Sequence, residues 1–297
     1  MIQLRCFSCL ALLAAAGVVA QRPTDRVQTP PSIIRADVRL VEVYATIYNR
    51  NGRYVSGLAA EQFEVRDNGE ACPIVSFEPD SSGISCAILL DRTGSMEKAF
   101  PAVKNSTLKL IDAFRDSDWF AIYGFSSSLQ VVQDFSQDRA AAKSAVLGIV
   151  ARGATAFFDA ICKVAMDLSG RKGKKAIIAF TDGQDNISVL NPVVAASKAR
   201  SVGVPLFAVA QGEALEGHAL LDLLRDTARH TGGEAYAVKK AGDIEEVFQD
   251  ISKDLGHTYM LAYHVPRSAQ PGWRSIQLTV KGSKGLRIRS KENYYLK

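Results

Sequence analysis

The sequence predicts a doubly wound α/β unit, a mostly parallel sheet with helices on both faces, carried by a small β domain built from the N- and C-terminal flanks. Three observations lead there. The run Ile84-Ser-Cys-Ala-Ile-Leu-Leu90 is almost continuously apolar, as a strand buried on both faces of a parallel sheet must be. From that point strand-like and helix-like stretches alternate to about residue 257, the order that repeated βαβ units require. Before residue 80 and after residue 258 the pattern is β, with turn dipeptides between short runs.

Composition agrees with a folded chain of this kind. Hydrophobic residues make up 47% of the 297 positions and charged residues 23%, which supplies a core and excludes disorder of the whole chain. The net charge of +5 comes from 36 basic and 31 acidic side chains that are interspersed. No basic stripe forms, so no nucleic-acid partner is expected.

Residues 1–20 read as a secretory signal. Arg5 is followed by the apolar stretch 6–19, and Val18-Val19-Ala20 ends on small residues, so cleavage is expected between Ala20 and Gln21. The apolar run falls short of the ~18–20 residues that a membrane span needs. The expected product is exported, periplasmic or secreted, with no span in the mature chain. Cleavage removes Cys6 and Cys9 and leaves Cys72, Cys86 and Cys162, an odd number without a CxxC pair, which argues against a cysteine zinc site. Cys86 and Cys162 read as buried small hydrophobes, and the pairing of Cys72 stays open.

Residues 21–32 carry Pro23, Pro30 and Pro31 and read as a flexible leader. The N-terminal part of the β domain is placed at 33–80. Its first strand, 38–47, slips phase at Leu40-Val41, which suggests a bulge. Asn51-Gly52 and Asn68-Gly69 are hairpin dipeptides, and the second is expected to pair Phe63-Glu-Val-Arg with Pro73-Ile-Val-Ser-Phe. The α/β unit is placed at 83–257. A helix carries Ala99, Val103, Leu108, Ile111 and Phe114 along one side, and further helices are expected at 139–150, 157–168, 193–202, 219–231 and 242–255. Strands are expected at 119–125, 176–180, 204–210 and 232–238, with 129–135 as a hairpin partner. The basic stretch Arg171-Lys172-Gly-Lys174-Lys175 reads as a solvated loop. In the C-terminal part, 258–297, strands are expected at 259–264, 275–280 and 286–289. The two flanks are expected to pair with each other.

Function in doubly wound sheets gathers at the carboxyl ends of strands. Three loops there carry oxygen donors: Asp91-Arg92-Thr93-Gly94-Ser95, Gly153-Ala154-Thr155 and Thr181-Asp182-Gly183. Asp91, Thr93, Ser95, Thr155 and Asp182 offer two carboxylates and three hydroxyls without sulfur or imidazole, a set suited to Mg²⁺, Mn²⁺ or Ca²⁺. Asp159 and Asp185 read as solvated or capping side chains. His218, His230, His257 and His264 show no metal spacing, and the nucleophile-elbow and phosphate-loop motifs are absent.

The pattern Asp91-x-Thr93-x-Ser95, then a distant Thr155, then Asp182 in a Thr-Asp-Gly turn resembles the metal-ion-dependent adhesion site of the von Willebrand factor type A family. Thr93 stands where the family has its middle serine and keeps the hydroxyl. Arg92 is a bulky neighbour that either attracts an anionic partner or points to solvent. The stretches at 57–69 and Tyr259-Met-Leu-Ala-Tyr-x-x-Pro look like the von Willebrand factor A-related proteins first grouped from Acidobacteria. The resemblance implies a von Willebrand A fold, related to the Rossmann architecture, and an exported binding protein without catalytic activity. In such a protein the metal, held by Asp91, Thr93, Ser95, Thr155 and Asp182, takes a carboxylate from an exposed Asp or Glu of a protein partner. Two other readings use the same residues. One is an envelope or assembly module whose ion only stabilises loops. The other is a Mg²⁺-dependent phosphatase of the haloacid dehalogenase class using Asp91, Lys174 or Lys175, and Asp182 with Asp185, although Thr93 stands where that class needs its general acid.

Overall fold

The computed structural model describes residues 39–182, 187–190, 194, 197, 204–211, 215, 218–240, 243–282 and 285–296. The expected signal, leader and Asp185, and the expected helix at 193–202 apart from residues 194 and 197, lie outside them. The N-terminal flank supplies β1 (Leu40–Tyr48), β2 (Phe63–Asp67), β3 (Glu70–Cys72) and β4 (Ile74–Glu78). The α/β unit follows with β5 (Ile84–Asp91), α1 (Phe100–Ala113), β6 (Trp119–Phe125), β7 (Leu129–Ser136), α2 (Arg139–Gly148) and α3 (Phe157–Ser169). It continues through β8 (Lys174–Thr181), β9 (Leu206–Gln211), α4 (His218–Thr231), β10 (Glu234–Val238) and α5 (Ile244–Gly256). The C-terminal flank adds β11 (Thr258–His264), β12 (Gly272–Val280), β13 (Arg287–Ser290) and β14 (Asn293–Leu296).

The central sheet has the order β10-β9-β8-β5-β6-β7. All neighbours run parallel except β7, which returns antiparallel on β6. Alternation along a strand sends successive side chains to opposite faces, and β5 shows the consequence. Cys86, Ile88 and Leu90 enter one apolar layer with Val103, Leu110 and Ile111 of α1, Val146 of α2, and Phe248 and Ile251 of α5. Ala87 and Leu89 enter the other with Phe157, Ile161 and Val164 of α3 and Leu224 of α4. Every residue of β5 is buried. A strand covered on both sides has no polar face, which is why 84–90 carries no alternating pattern.

The flanks form two four-stranded antiparallel sheets, ordered β13-β1-β11-β4 and β14-β12-β2-β3. They share two apolar clusters. Val41, Val43 and Tyr263 meet Val65, Ile276 and Leu296, and Ala45, Ile47 and Leu261 meet Phe63 and Val280. Two expectations change here, and one strand is added. The register of β1 runs without interruption against both neighbours, so its phase slip is not a bulge. Tyr44 instead clusters with Met260 and Ala262 on the face away from the second sheet, and a strand covered on two sides loses strict alternation. The Asn68-Gly69 turn, with φ of 48° and 84°, pairs β2 with Glu70–Cys72 and not with the segment after Pro73. Proline lacks the N–H that a ladder needs, and beyond it β4 joins β11 in the other sheet. β14, unforeseen in the sequence, completes the second sheet beside β12.

The basic stretch before β8 is also corrected. Lys174 and Lys175 are buried within the strand. Lys174 Nζ donates to the carbonyls of Asp80 (2.9 Å) and Thr258 (3.1 Å), and Lys175 Nζ pairs with Glu42 at 2.9 Å. Arg171 stacks over Trp119 and Phe135. The two lysines fasten the start of β8 to the flanking strands β11 and β1, whereas Arg171 braces the central sheet at β6 and β7. At the same seam Arg289 pairs with Asp254 at 2.7 Å and Glu234 at 2.6 Å, and Asp254 accepts the hydroxyls of Tyr48 and Tyr54.

Burial lowers Lys174 from 10.5 to about 8, and it does the same to Lys291. Below pH 8 both lysines are charged, folded or unfolded, and the cost of burying them is fully present. Between pH 8 and 9 the folded protein releases these protons first, so the unfolded chain binds more protons and stability rises with pH. From about pH 9 the Cys86 thiol ionises in the unfolded chain while burial keeps it protonated in the fold, which opposes the rise. Above about 10 the trend reverses. The unfolded tyrosines then ionise, whereas burial first, and the neighbouring Asp254 carboxylate next, hold Tyr48 up near 12 in the fold. Urea denaturation at pH 8 and pH 9 is expected to show the rise, and Lys174→Met is expected to reduce it, with Lys291 supplying the remainder.

Candidate functional site

The site sits at the carboxyl edge of the central sheet, away from that seam. Asp91 ends β5, where the alternating strand turns it out of the sheet and into the crossover loop. Its carboxylate is fully buried and oriented from two sides. Oδ1 accepts from the Thr93 amide at 3.0 Å, and Oδ2 accepts from the Thr181 hydroxyl at 2.9 Å. Burial pushes its pKa up to about 6; the Thr93 and Thr181 hydrogen bonds work in the other direction, and the neighbouring Asp182 adds to the rise. Thr93 Oγ1 lies 3.0 Å from Ser95 Oγ, and Ser95 Oγ donates to Asp182 Oδ1 at 3.0 Å. Asp91, Thr93, Ser95 and Asp182 therefore form one connected polar chain, closed at its base and open to solvent at Gly94 and Ser95.

Thr155 arrives on the neighbouring loop and is buried. That loop is stitched to the first one: Gly94 N donates to Gly153 O at 3.3 Å, and Arg152 N donates to Arg92 O at 2.5 Å. A serine turn after β6 supports it from behind, with Ala156 N on Ser126 O and Ala154 N on Ser127 Oγ. Gly153 adopts φ 97°, and a Cβ there would meet the Ser126 side chain at 3.1 Å; both conditions favour glycine. The Thr155 carbonyl accepts from Ile187 N at 3.3 Å, which brings the chain beyond Asp182 back to the same corner. Arg92 does not extend freely from the site. Its aliphatic stem lies where a Cβ on Gly124 would touch it at 3.1 Å.

Residues 86–250 match the von Willebrand factor type A domain family. The chain belongs to that family. Two solved structures show the likeness in three dimensions. A von Willebrand factor type A protein from Catenulispora acidiphila aligns with 17% identity and a TM-score of 0.51, over 88% of this chain and 74% of that one. Proximal thread matrix protein 1 from the mussel byssus, in a form with a zinc-occupied MIDAS motif, aligns with 19% identity and a TM-score of 0.51. That alignment covers 62% of this chain and 48% of the mussel protein. No curated protein matches. Von Willebrand A domains are protein-interaction modules, and the fold described above is theirs.

Within this von Willebrand A domain the donor chemistry fits a hard divalent cation. A buried carboxylate without a cationic partner is costly, and no salt bridge among the described residues reaches Asp91. Two carboxylates and the hydroxyls beside them match the oxygen preference of Mg²⁺ and Mn²⁺. Among the described residues no three His, Cys, Asp or Glu side chains gather into a metal cluster, so an imidazole or thiolate site has no counterpart there. The phosphatase arrangement loses its lysine. Lys174 pairs in register with Ile84 at the opposite end of the sheet, about 23 Å from Asp91 at strand spacing.

Four contributors left no clear mark in the sequence. The Thr181 hydroxyl was legible only as part of a Thr-Asp-Gly turn, yet it orients Asp91. Ser126 and Ser127 read as a plain hairpin turn. Asp159, expected to be solvated or capping, accepts the backbone N–H groups of Val189 and Leu190. Among the described residues no helix is long and apolar enough to cross a membrane.

Proposed function

We propose that this protein is an exported adhesion-type binding protein that uses a divalent cation, Mg²⁺ or Mn²⁺ with Ca²⁺ as a further candidate, to capture an acidic side chain of a protein partner. The observation that carries this reading is the hydrogen-bonded chain Asp91–Thr93–Ser95–Asp182 beside the buried Thr155. Asp91, locked by Thr93 and Thr181, supplies fixed negative charge at the base. The Ser95 hydroxyl presents a neutral oxygen at the exposed rim with the buried Thr93 hydroxyl behind it, and Asp182 and Thr155 close the other side. When bound, the cation would supply Lewis acidity, and the neutral hydroxyls of Thr93, Ser95 and Thr155 would quench less of it than further carboxylates would, leaving it for an incoming acid. The exposed Ile187, bonded to Thr155, and the exposed Val189, bonded to Asp159, offer apolar surface on the segment next to the site, as specific interfaces do. Nothing in this arrangement calls for catalysis.

Export rests on residues 1–20, whose apolar run and small-residue end fit a cleaved signal. The flanking β segments support a place among the von Willebrand factor A-related proteins first grouped from Acidobacteria. The partner reading is tested by capture from native envelope extract, comparing wild type in Mg²⁺, wild type in chelator and Asp91→Ala in Mg²⁺. Partner recovery is expected in the first case alone. Equal recovery in all three would remove the metal-bridged mechanism. A fall in stability without a change in recovery would make the ion a loop stabiliser.

A further inference from the structure

We propose that Asp159 is a positioning residue for this site: it clamps the segment that follows Asp182 onto the helix that follows Thr155. Asp159 is the third residue of α3 and stands four positions after Thr155. A carboxylate at that helix position usually turns back to cap its own N-terminus. This one does not, and the amide of the Ala156 N-cap donates instead to the Ser126 carbonyl at 3.0 Å. Its two oxygens go to another stretch of chain, Oδ2 to the Val189 amide at 2.9 Å and Oδ1 to the Leu190 amide at 3.0 Å. The Asp159 amide donates in return to Ser188 Oγ at 3.2 Å, and Ile187 N donates to the Thr155 carbonyl at 3.3 Å.

Four consecutive residues, 187–190, are thus bonded to the Thr155–Asp159 turn. Apolar burial does little of this, because Val189 is 91% exposed and Ile187 is 43% exposed; of the four, Leu190 packs against the core layer beneath α3. An ionised carboxylate is the side chain for the task. It only accepts, it offers two oxygens at fixed separation, and its bonds to N–H groups are charge-assisted. Asparagine keeps one acceptor, and alanine keeps none.

The consequence falls on Asp182. On one side it is fixed by β8, whose Thr181 pairs with Ala210 and bonds Asp91. On the other side, residues 187–190 are fixed by Thr155 and Asp159. The clamp therefore sets how far Asp182 can drift from Thr155, the two donors that come from different loops. Supports of this kind around metal ligands change affinity by about 10- to 100-fold when removed.

This inference rests on the metal reading of the site, and the test separates the two. Mn²⁺ affinity is measured by calorimetry and by the Mn²⁺ electron paramagnetic resonance signal for wild type, Asp159→Asn, Asp159→Ala and Asp138→Ala. Asp138 caps the remote helix α2 through the Ala141 amide, so its variant loses a carboxylate–amide bond far from the site. The expected result is an Mn²⁺ affinity about 10-fold weaker in Asp159→Ala, a smaller loss in Asp159→Asn and none in Asp138→Ala. Amide exchange at Val189 and Leu190 should accelerate in the Asp159 variants even without metal. If wild type binds Mn²⁺ and Asp159→Ala binds equally well, or loses no more than Asp138→Ala, the clamp is overturned while the metal reading stands. If wild type binds no Mn²⁺, the metal reading falls and the inference falls with it. Should Asp159→Ala fail to fold, Asp159→Asn decides the comparison.

Discussion

Asp91→Asn is expected to abolish divalent-ion binding while leaving the metal-free fold at least as stable as wild type. The two effects part because Asp91 contributes charge to the ion but little to packing. Asparagine has the same shape, and its Oδ1 can still accept from the Thr93 amide. Burial already works against the ionised form of Asp91, raising it to about 6, so a neutral amide is no harder to bury. A neutral amide oxygen can still coordinate a hard cation, but it removes the one fully buried negative charge of the donor set, and because ligand charge sets such affinities, Mn²⁺ binding should weaken by about 100-fold or more. Thermal denaturation gives the complementary reading. At 100 times its Kd the ion stabilises wild type by about 2.7 kcal/mol, worth about 5–10 °C for a domain of this size. The variant should gain nothing. A melting temperature that rises equally in both proteins would place the ion elsewhere.

The largest loss of stability is expected from a residue with no part in binding. Asp67→Ala should destabilise the protein by about 3–5 kcal/mol. Asp67 is fully buried between the flanking sheets, where Oδ1 pairs with Arg274 Nε at 2.7 Å and Oδ2 accepts the hydroxyls of Tyr263 (3.1 Å) and Tyr294 (2.6 Å). One carboxylate thus joins β2 to β11, β12 and β14. Removing it strands a guanidinium and two hydroxyls in an apolar interior, and that desolvation makes up most of the cost. Urea denaturation measures the change. Replacing both charged partners, as Asp67→Leu with Arg274→Met, should recover much of it, because no buried charge is then left alone. A single variant within 1 kcal/mol of wild type would show that water reaches Arg274 without unfolding.

The same contrast explains how far the sequence could be read. Strand β5, the alternation that follows it and the helices α1, α2 and α3 were legible because burial on one or two faces leaves a periodic mark within a few residues. The order of Asp91, Thr93, Ser95, Thr155 and Asp182 was legible for a related reason, since strand ends and glycine turns say where side chains leave the sheet. Pro73 was a readable signal that was passed over: a residue without an N–H closed one hairpin and sent β4 to a different sheet. Arg171, Lys174 and Lys175 misled because a basic run is solvated unless something neutralises it.

What neutralises it lies far away. Lys175 meets Glu42 across 133 positions and Arg274 meets Asp67 across 207, beyond the reach of any local pattern. The chain by itself determined the α/β alternation, the β character of both flanks and the residue types that would edge the sheet, since each depends on local geometry and periodic burial. Only the tertiary structure decided which strands pair, which charges are buried and that Asp159 holds the far side of the Asp182 loop, because a buried polar group is tolerable only where the fold delivers its partner.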